Sequence, residues 1–379
     1  MTSILPGSTI GILGGGQLGR MTAMAARSLG YAVHVLDPDA ECPAAAVADR
    51  CVTASFEDAE SAADLARYCD VVTFEIEQIG VDALAAAGRH AVVRPSPDFL
   101  GIVQNRSTQK AWLRNGGFPI GDYREIANLD DLERAARAMG PLFVKANRGG
   151  YDGRSQVRVE HPDAANEAWS ALGERPSIAE RAIDLQGELS VMVARAPSGE
   201  LRTYPPALNH HDRQVLAWSV IPAPVAPHVA DRAKEIAVGI ATEASLEGLL
   251  AVELFLTRGG ELLVNELAPR PHNSFHETER ACSVSQFEQL VRAICDLPLG
   301  SPAILQPAAI VNLFGDLWID GQTPSYERAL SMDGIRLHLY GKRAARSGRK
   351  MGHLSGIGGS AADALELVQE AAARLRGRA

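Results

Sequence analysis

The first hundred residues alternate short apolar runs with amphipathic segments, and this alternation restricts the possible folds more than any other feature. The runs "TIGILGG", "AVHVLD" and "DVVTFEIE" have the length and composition of buried strands. The segments with helical periodicity are "QLGRMTAMAARSLG", "SAADLARYC" and "VDALAAAG". Strands that alternate with helices form parallel βαβ units. The sequence therefore predicts a Rossmann-like α/β domain at the amino-terminal end.

The first strand-to-helix turn, "IGILGGGQLGR", resembles a dinucleotide-binding fingerprint. Gly14, Gly16 and Gly19 have the G-x-G-x-x-G spacing, and Asp37 follows about where a ribose-binding acid is expected. Such glycines let backbone amides face an anion, or they simply allow close packing of strand and helix. A single fingerprint is a weak signal, and no histidine or cysteine constellation for hydride transfer follows it. An NAD-dependent oxidoreductase is one alternative at this point.

The pattern changes after about residue 100, and three domains are predicted at 1–104, 105–299 and 300–379. One strong helix is expected from Pro97 to Asn115. The middle part mixes strands and helices, as in an α+β domain. The last part contains the apolar runs "AAIVNLFG" and "IRLHLYGK" and a helix from Ala361 to Arg376.

Charge and cysteine usage exclude several classes of protein. The formal net charge is -9, which argues against nucleic acid or a membrane surface as a partner. The five cysteines are scattered and form no C-x-x-C pair, so a disulfide framework is not expected and a reducing cytoplasm fits best. We find no signal-peptide pattern at the start and no apolar stretch long enough to span a bilayer.

A glycine-rich connection in "VKANRGGYDGRSQ" links two predicted strands. It is not a Walker A loop, because that loop leads from a strand into a helix and ends in G-K-[ST]. Flanked by Lys145, Arg148 and Arg154, the segment has the composition of a flexible loop that covers phosphates. A plain hairpin with an Asp-Gly turn is the alternative.

Two acids lie on one face of the predicted hairpin "AVELFLTRGGELLVNELAPR". If Arg258 and Gly259 form its loop, Glu253 lies opposite Val264, and Glu266 is a diagonal neighbour roughly 7–8 Å away on the same face. Such acids repel each other unless a cation lies between them, and carboxylates suit Mg²⁺. Asn265 alternates to the other face but can turn toward the metal at the strand end. A solvent-exposed acidic face is the alternative.

A zinc site is a further interpretation, because "PHNSFHETER" contains His272 and His276 at helical spacing. His276 and Glu277 begin an H-E-x-x-H pattern, but Arg280 stands where its second histidine is required. The motif therefore fails.

Five motifs in order identify a resemblance: "GGGQLGRM", "TFEIE", "GGYDGRSQ", "NELAPRPHNS" and "YGK…RKMGH". Together they resemble the 5-(carboxyamino)imidazole ribonucleotide synthase family of the ATP-grasp superfamily, from residue 10 to about residue 353. The resemblance implies a Rossmann-like domain, a central ATP-grasp domain and a small carboxy-terminal domain. It also implies a cytoplasmic homodimer that acts in purine biosynthesis.

The reaction that the resemblance implies uses ATP, bicarbonate and 5-aminoimidazole ribonucleotide. Bicarbonate is phosphorylated to carboxyphosphate, and the substrate amine then captures the carboxyl unit, leaving ADP and phosphate. Two Mg²⁺ ions are implied, whereas biotin and NAD are not. The alternatives are formate-dependent phosphoribosylglycinamide formyltransferase, which shares the domain plan, and a nucleotide-binding regulator without catalysis.

The resemblance also assigns residues by ligand. For the metal it implies Glu253 and Glu266, and for catalysis Arg270, Tyr151, Asp152 and Arg154. For ATP it implies Arg106, Lys145, the loop Gly150, Tyr151, Asp152, Gly153, Arg154, Ser155 and Gln156, the linker Glu180, Arg181, Ala182 and Ile183, and Glu188, His211, Asn265 and Glu266. His210 is an alternative to His211. For the ribonucleotide it implies Gln17, Leu18, Glu75, Tyr151, Asp152, Arg154, His272, Asn273, Ser274, Lys342 and Arg349.

Overall fold

The computed structural model of the chain describes residues 3–149, 155–319 and 323–377. Its strands are β1 (Thr9–Leu13), β2 (Ala32–Asp37), β3 (Arg50–Thr53), β4 (Val71–Phe74), β5 (Val92–Val93), β6 (Tyr123–Ile126), β7 (Leu142–Ala146), β8 (Gln156–Val159), β9 (Ser177–Arg181), β10 (Leu185–Arg195), β11 (Leu201–Thr203), β12 (Ala207–Asp212), β13 (Val215–Ile221), β14 (Gly248–Thr257), β15 (Leu262–Ala268), β16 (Ala308–Phe314), β17 (Ile335–Leu339) and β18 (Lys350–Ile357). Its α-helices are α1 (Gln17–Ser28), α2 (Ala59–Ala66), α3 (Val81–Ala87), α4 (Pro97–Val103), α5 (Arg106–Asn115), α6 (Leu129–Met139), α7 (Ala165–Ala171), α8 (Pro227–Glu243), α9 (Thr278–Ala281), α10 (Gln286–Ile294), α11 (Tyr326–Leu330) and α12 (Ala361–Leu375).

The amino-terminal strands form a parallel five-stranded sheet in the order β3-β2-β1-β4-β5. Its central strands β1 and β4 are buried on both faces, as expected when helices cover a parallel sheet. The predicted Rossmann-like α/β domain is therefore confirmed.

The single helix predicted from Pro97 to Asn115 is wrong, because the chain forms α4 and then α5. The side chain of Asn105 accepts hydrogen bonds from the backbone amides of Ser107 and Thr108 and so caps a new helix. Asparagine favours this capping position over a helix interior.

The largest sheet is antiparallel, with the strand order β15-β14-β10-β12-β13-β16-β18-β17 and β11 paired to the end of β10. Helix α8 packs on one face through Ile236 and Ile240, and α12 packs against the carboxy-terminal strands through Val368 and Leu375. Strands β16 to β18 thus extend the sheet of the central part. The predicted boundaries after residues 104 and 299 stay predictions.

A smaller antiparallel sheet has the order β6-β9-β7-β8. Strands β7 and β8 pair directly, with Lys145 opposite Gln156, so the predicted strand–connection–strand arrangement is confirmed. Gly150, Tyr151, Asp152, Gly153 and Arg154 lie outside the described residues.

The amino-terminal unit docks onto the large sheet through the ion pairs of two buried arginines. Arg94 Nε lies 2.7 Å from Glu247 Oε2, and Arg270 Nη2 lies 2.7 Å from Glu77 Oε1. These contacts fix the wall of the cleft that forms between the units. Among the helices in the described ranges, none has both the length and the apolar character needed to cross a bilayer.

Candidate functional site

A cleft of about 1290 Å³ lies where the amino-terminal unit and the two antiparallel sheets meet. Most of the residues predicted for a site line it. They are Gln17, Leu18, Arg106, Lys145, Ser155, Gln156, Glu180, Arg181, Ile183, Glu188, His211, Glu253, Asn265, Glu266, Arg270, His272 and Asn273. Of the predicted site residues that the structure describes, Glu75, Ala182, Ser274, Lys342 and Arg349 are not on its wall.

The two hairpin acids face each other directly, which corrects the predicted register. Glu253 pairs with Glu266, whereas Leu254 pairs with Val264, so β15 has one extra residue between these pairs. The extra residue forms a β-bulge, a feature that re-aims side chains near active sites. The expectation of a shared face is met, but Glu253 and Val264 are not partners and the two acids are not diagonal neighbours.

Asn265 is the extra residue of the bulge, and this explains how its side chain reaches the acids. Its Nδ2 donates to Glu253 Oε2 at 3.3 Å. The buried Lys110 Nζ donates to the carbonyls of Val264 at 3.2 Å and Asn265 at 3.0 Å. Strand pairing leaves bulge carbonyls without a regular partner, so Lys110 holds this local distortion in place.

Lys110 also belongs to a buried cluster of charges on the wall of the cleft. Its Nζ lies 2.6 Å from Glu180 Oε1, and Lys145 forms an ion pair with the other oxygen of Glu180. Burial opposes ionisation of this carboxyl, but the two ammonium groups outweigh it and lower the pKa of Glu180 to about 2. Glu180 is therefore a fixed anion that positions both lysines.

Lys110 is a site residue that the sequence reasoning missed. It lies four residues after Arg106, so the two side chains share one face of α5. Arg106 itself donates to the carbonyls of Ala146 and Gly149 at 2.8 and 3.1 Å. The helix thus holds the base of the glycine-rich connection and the bulge of β15 at once.

The acid pair has the electrostatics of a cation site. Burial and the nearby Glu266 raise the pKa of Glu253 to about 7. His272 Nε2 lies 3.2 Å from Glu253 Oε1, and burial together with Arg270 holds the pKa of His272 well below its usual range. Two carboxylates facing each other, with a neutral imidazole as neighbour, are the hard oxygen donors that Mg²⁺ prefers. The residues present therefore fit the implied metal.

His211, and not His210, faces the cleft. Its Nδ1 lies 2.9 Å from Glu188 Oε2, whereas His210 is exposed and stacks on Trp218 with ring centroids 5.0 Å apart. Burial disfavours the imidazolium, but Glu188 and Glu253 outweigh it and raise the pKa of His211. Of the two histidines that the sequence left open, His211 is the one that lines the cleft, and its contact with a nucleotide stays a prediction.

The glycine turn before α1 already holds a carboxylate. Glu75 Oε1 accepts from the amide of Gly16 at 2.8 Å, and Oε2 accepts from the amide of Gly19 at 2.9 Å. A Cβ on Gly16 would lie 2.5 Å from Glu75 Oε1, so glycine is required for this approach. The amides that the fingerprint offers to a pyrophosphate therefore have a partner from the chain itself.

The basic segment 341–350 presents Lys350 to the cleft rather than the two predicted cations. Lys342 Nζ donates to the carbonyl of Lys350 at 2.8 Å, and Arg349 Nη1 donates to the carbonyl of Ala344 at 2.8 Å. Lys350 begins β18 and lines the cleft. The sequence reasoning quoted "RKMGH" but missed Lys350.

Asn273 lies on the wall of the cleft. Both polar atoms of its buried amide lack a hydrogen-bond partner within the described part of the chain. A buried amide without partners is costly, so a ligand that supplies them is favoured here. Gln17, Leu18 and Arg270 line the same cleft.

A second group of possible metal ligands lies outside the cleft. Glu279, His338 and His353 bring one ligand atom each within 4.8 Å of one another. The rings of His338 and His353 are stacked at 9° with centroids 4.5 Å apart. An ion held at about 2 Å from a histidine nitrogen lies in the plane of that ring, and two parallel rings cannot share it. This geometry does not fit a metal centre.

Family models match three successive parts of the chain. A ribonucleotide synthetase preATP-grasp domain matches residues 7–104, an ATP-grasp domain matches 111–287, and a phosphoribosylaminoimidazole carboxylase C-terminal domain matches 308–367. The fold and the cleft are thus those of the ATP-grasp class.

Individual relatives narrow the class to one family. The N5-carboxyaminoimidazole ribonucleotide synthase of Bacillus subtilis (strain 168) is 41% identical over 354 residues, which cover 93% of this chain and 92% of that protein. The synthase of Brucella melitensis biotype 1 is 41% identical over 94% of this chain and 98% of that protein. The solved Aspergillus clavatus synthase, in complex with ADP and 5-aminoimidazole ribonucleotide, superposes with a TM-score of 0.91 at 34% identity and covers 98% of this chain and 99% of that chain.

The chain therefore belongs to the N5-carboxyaminoimidazole ribonucleotide synthase family. It is an ATP-dependent ligase with the three-part ATP-grasp architecture that the motifs implied.

Proposed function

We propose that this chain carboxylates 5-aminoimidazole ribonucleotide with bicarbonate in the cleft, giving N5-carboxyaminoimidazole ribonucleotide, ADP and phosphate for purine biosynthesis. The observation that supports it most is the composition of the cleft wall. One end has paired lysines and facing acids suited to a metal–nucleotide complex. The other end has the amide of Asn273, which lacks a hydrogen-bond partner among the described residues.

The chain's own cations serve the first step. A bicarbonate oxygen attacks the γ-phosphorus of ATP, and the bond from that phosphorus to the leaving ADP oxygen breaks. Negative charge develops on the phosphoryl oxygens during this step, and fixed cations lower its energy. Lys145, held by Glu180, and Arg106, held at the base of the glycine-rich connection, supply that charge.

In the second step the substrate amine attacks the carboxyl carbon of carboxyphosphate, phosphate leaves, and the amine loses a proton. Arg270 is placed for the anionic carboxyl and phosphate groups, since its guanidinium is fixed by Glu77 on the cleft wall. His272, Asn273, Gln17 and Leu18 contact the ribonucleotide. Tyr151, Asp152 and Arg154, which lie outside the described residues, are proposed to complete this side.

Glu253 and Glu266 are proposed to hold two Mg²⁺ ions. Bound there, the metal would neutralise phosphate charge and orient the nucleotide. Asn265 Nδ2 donates to Glu253 Oε2, and His272 Nε2 lies 3.2 Å from Glu253 Oε1, so both side chains help to orient this carboxylate. Glu188 and His211 are proposed for the ribose side of ATP, and the linker from Glu180 to Ile183 for adenine.

The test measures ADP release with ATP, Mg²⁺ and bicarbonate, with and without 5-aminoimidazole ribonucleotide. We expect release that depends on the ribonucleotide and on bicarbonate. Release that instead requires formate and glycinamide ribonucleotide would overturn the proposal in favour of a formyltransferase.

Two properties of the whole protein are also proposed. A cytoplasmic location is supported by five cysteines that are all free thiols, and a homodimer follows from the family resemblance. Light scattering of the purified protein at micromolar concentration tests the dimer, and a monomer mass contradicts it.

A further inference from the structure

The hairpin of β12 and β13 ends in a strained two-residue loop. Asp212 pairs with Val215, so Arg213 and Gln214 form the loop. Their φ angles are 48° and 68°, in the left-handed region that a two-residue hairpin loop usually fills with Asn-Gly or Asp-Gly. In the part of the chain that the structure describes, no other two consecutive residues, glycine aside, both have a positive φ. Backbone strain of this kind is concentrated at functional sites.

The two loop residues have different surroundings. Gln214 lines the cleft, whereas Arg213 does not. The backbone N–H of Gly348 and the hydroxyl of Ser347 lower the pKa of Asp316. The charge of Arg213 adds to this effect, so Arg213 lies near the carboxy-terminal strands. The side-chain amide of Gln214 has no hydrogen-bond partner among the described residues, so no contact within them offsets its strain.

Strand pairing indicates which end of the cleft Gln214 faces. Ser190 of β10 pairs with Glu253 on one side and with Ala207 on the other. Ala207 is therefore level with the acid pair. From there β12 runs antiparallel to β10, toward the end of the sheet where β10 begins at Leu185, and leads into the loop. At about 3.3 Å per residue, the loop lies roughly 15–20 Å from the acid pair along the sheet.

This end of the cleft suits the nucleoside half of ATP. Glu188, proposed with His211 for the ribose, pairs with Asn209 and so lies between the acid pair and the loop. The linker from Glu180 to Ile183, proposed for adenine, leads into β10 at the same end. A primary amide offers both a donor and an acceptor, which a ribose hydroxyl and an adenine edge can each use, and it has no charge to attract a phosphate.

We propose that Gln214 hydrogen-bonds the nucleoside half of ATP, and that the strained loop is retained because it directs this amide into the cleft. The inference rests on the proposed function, since it adds one contact to the same nucleotide. One neutral hydrogen bond changes an affinity about three- to tenfold. Glycine at this position removes the amide but also relieves the strain, because glycine adopts a positive φ readily. Affinity and thermal stability are therefore expected to change in opposite directions.

Calorimetric titration of the purified protein with ADP tests the contact. We expect Gln214→Gly and Gln214→Ala to bind ADP about three- to tenfold more weakly than the wild type, with an unchanged KM for the ribonucleotide. Of these two variants, only Gln214→Gly should melt at a higher temperature than the wild type, because alanine keeps the strain. The matched control is Arg213→Gly, which relaxes the same loop outside the cleft. It should melt at a higher temperature and bind ADP as tightly as the wild type.

Three results would overturn the proposal. The first is wild-type affinity for ADP in Gln214→Ala, and the second is an equal loss of affinity in Arg213→Gly, which would assign the effect to the shape of the loop. The third is a Gln214→Gly protein that melts no higher than the wild type, which would remove the role of strain. A wild-type protein that does not bind ADP would overturn the proposed function itself, so the two failures are distinguishable.

Discussion

The glycine turn before α1 and the acid pair on β14 and β15 both bring carboxylates into the interior, but they satisfy them differently. Glu75 accepts two backbone amides at the start of α1, so the chain itself supplies the charge partner. Glu253 faces a second acid, and burial with that acid raises its pKa to about 7. Backbone amides partner the Glu75 carboxylate, although burial still raises its pKa, whereas the like charges of Glu253 and Glu266 favour a cation between them.

This difference explains why the more familiar sequence motif was the less informative one. The fingerprint of Gly14, Gly16 and Gly19 describes how close a partner can come to the backbone, and here that partner is Glu75. The two hairpin acids match no simple pattern, yet their position on one face pointed to a cation.

The largest expected effect is loss of turnover in Glu266→Gln. Removal of one acid leaves too few charges for the metal–nucleotide complex, and we expect ATP turnover to fall about a hundred- to a thousandfold. Ribonucleotide-dependent ADP release measures it, and a thermal melt checks that the fold is kept. Full activity in a folded variant would refute the metal assignment.

Lys110→Met tests the buried cluster that holds the bulge. The change leaves Glu180 and two carbonyls short of a donor, and we expect a loss of about 3 kcal/mol in the free energy of unfolding. Urea denaturation measures it. The matched control is Lys234→Met, whose ion pair with Asp231 is exposed and should contribute less than about 1 kcal/mol. Equal losses in the two variants would contradict the account.

Glu75→Gln tests the glycine turn before α1, where Glu75 accepts hydrogen bonds from backbone amides. The new amide group meets a backbone N–H, so we expect a stability loss of about 1–3 kcal/mol and an unchanged KM for ATP. Glu60→Gln, on the exposed first turn of α2, is the control. An unchanged stability with a raised KM for the ribonucleotide would instead place Glu75 in the substrate site, as the family resemblance implied.

His211→Ala and His210→Ala form the pair with the smallest expected effect. Only His211 contacts Glu188 in the cleft, so we expect its loss to raise the KM for ATP about tenfold, as for one hydrogen bond to a charged group. His210→Ala removes an exposed ring stacked on Trp218 and should leave that KM unchanged. The reverse result would exchange the two assignments.

Sequence patterns predicted most of the elements because their periodicity is local. The parallel strands β1, β2 and β4, the hairpin of β14 and β15 and the helix α12 follow from the spacing of apolar residues within each segment, whereas β3 and β5 were not predicted. The break at Asn105 was missed because the apolar pattern runs through it and only the capping chemistry of one side chain reveals it.

The acid register could not be read from the sequence because it depends on a bulge stabilised from elsewhere. Lys110, on a helix about 150 residues earlier in the chain, binds the carbonyls of Val264 and Asn265. A register counted from the turn assumes a regular pleat. It cannot take account of a hydrogen-bond donor that is so distant in the sequence. The i, i+4 spacing from Arg106 was the one local signal for Lys110.

The most direct test of the central claim is binding of Mn²⁺ in the presence of ADP, followed by electron paramagnetic resonance. The account predicts that wild-type protein and Glu75→Gln bind the ion equally well, while Glu253→Gln and Glu266→Gln bind it at least about tenfold more weakly. Equal binding by all four proteins would contradict the assignment of the acid pair as the cation site.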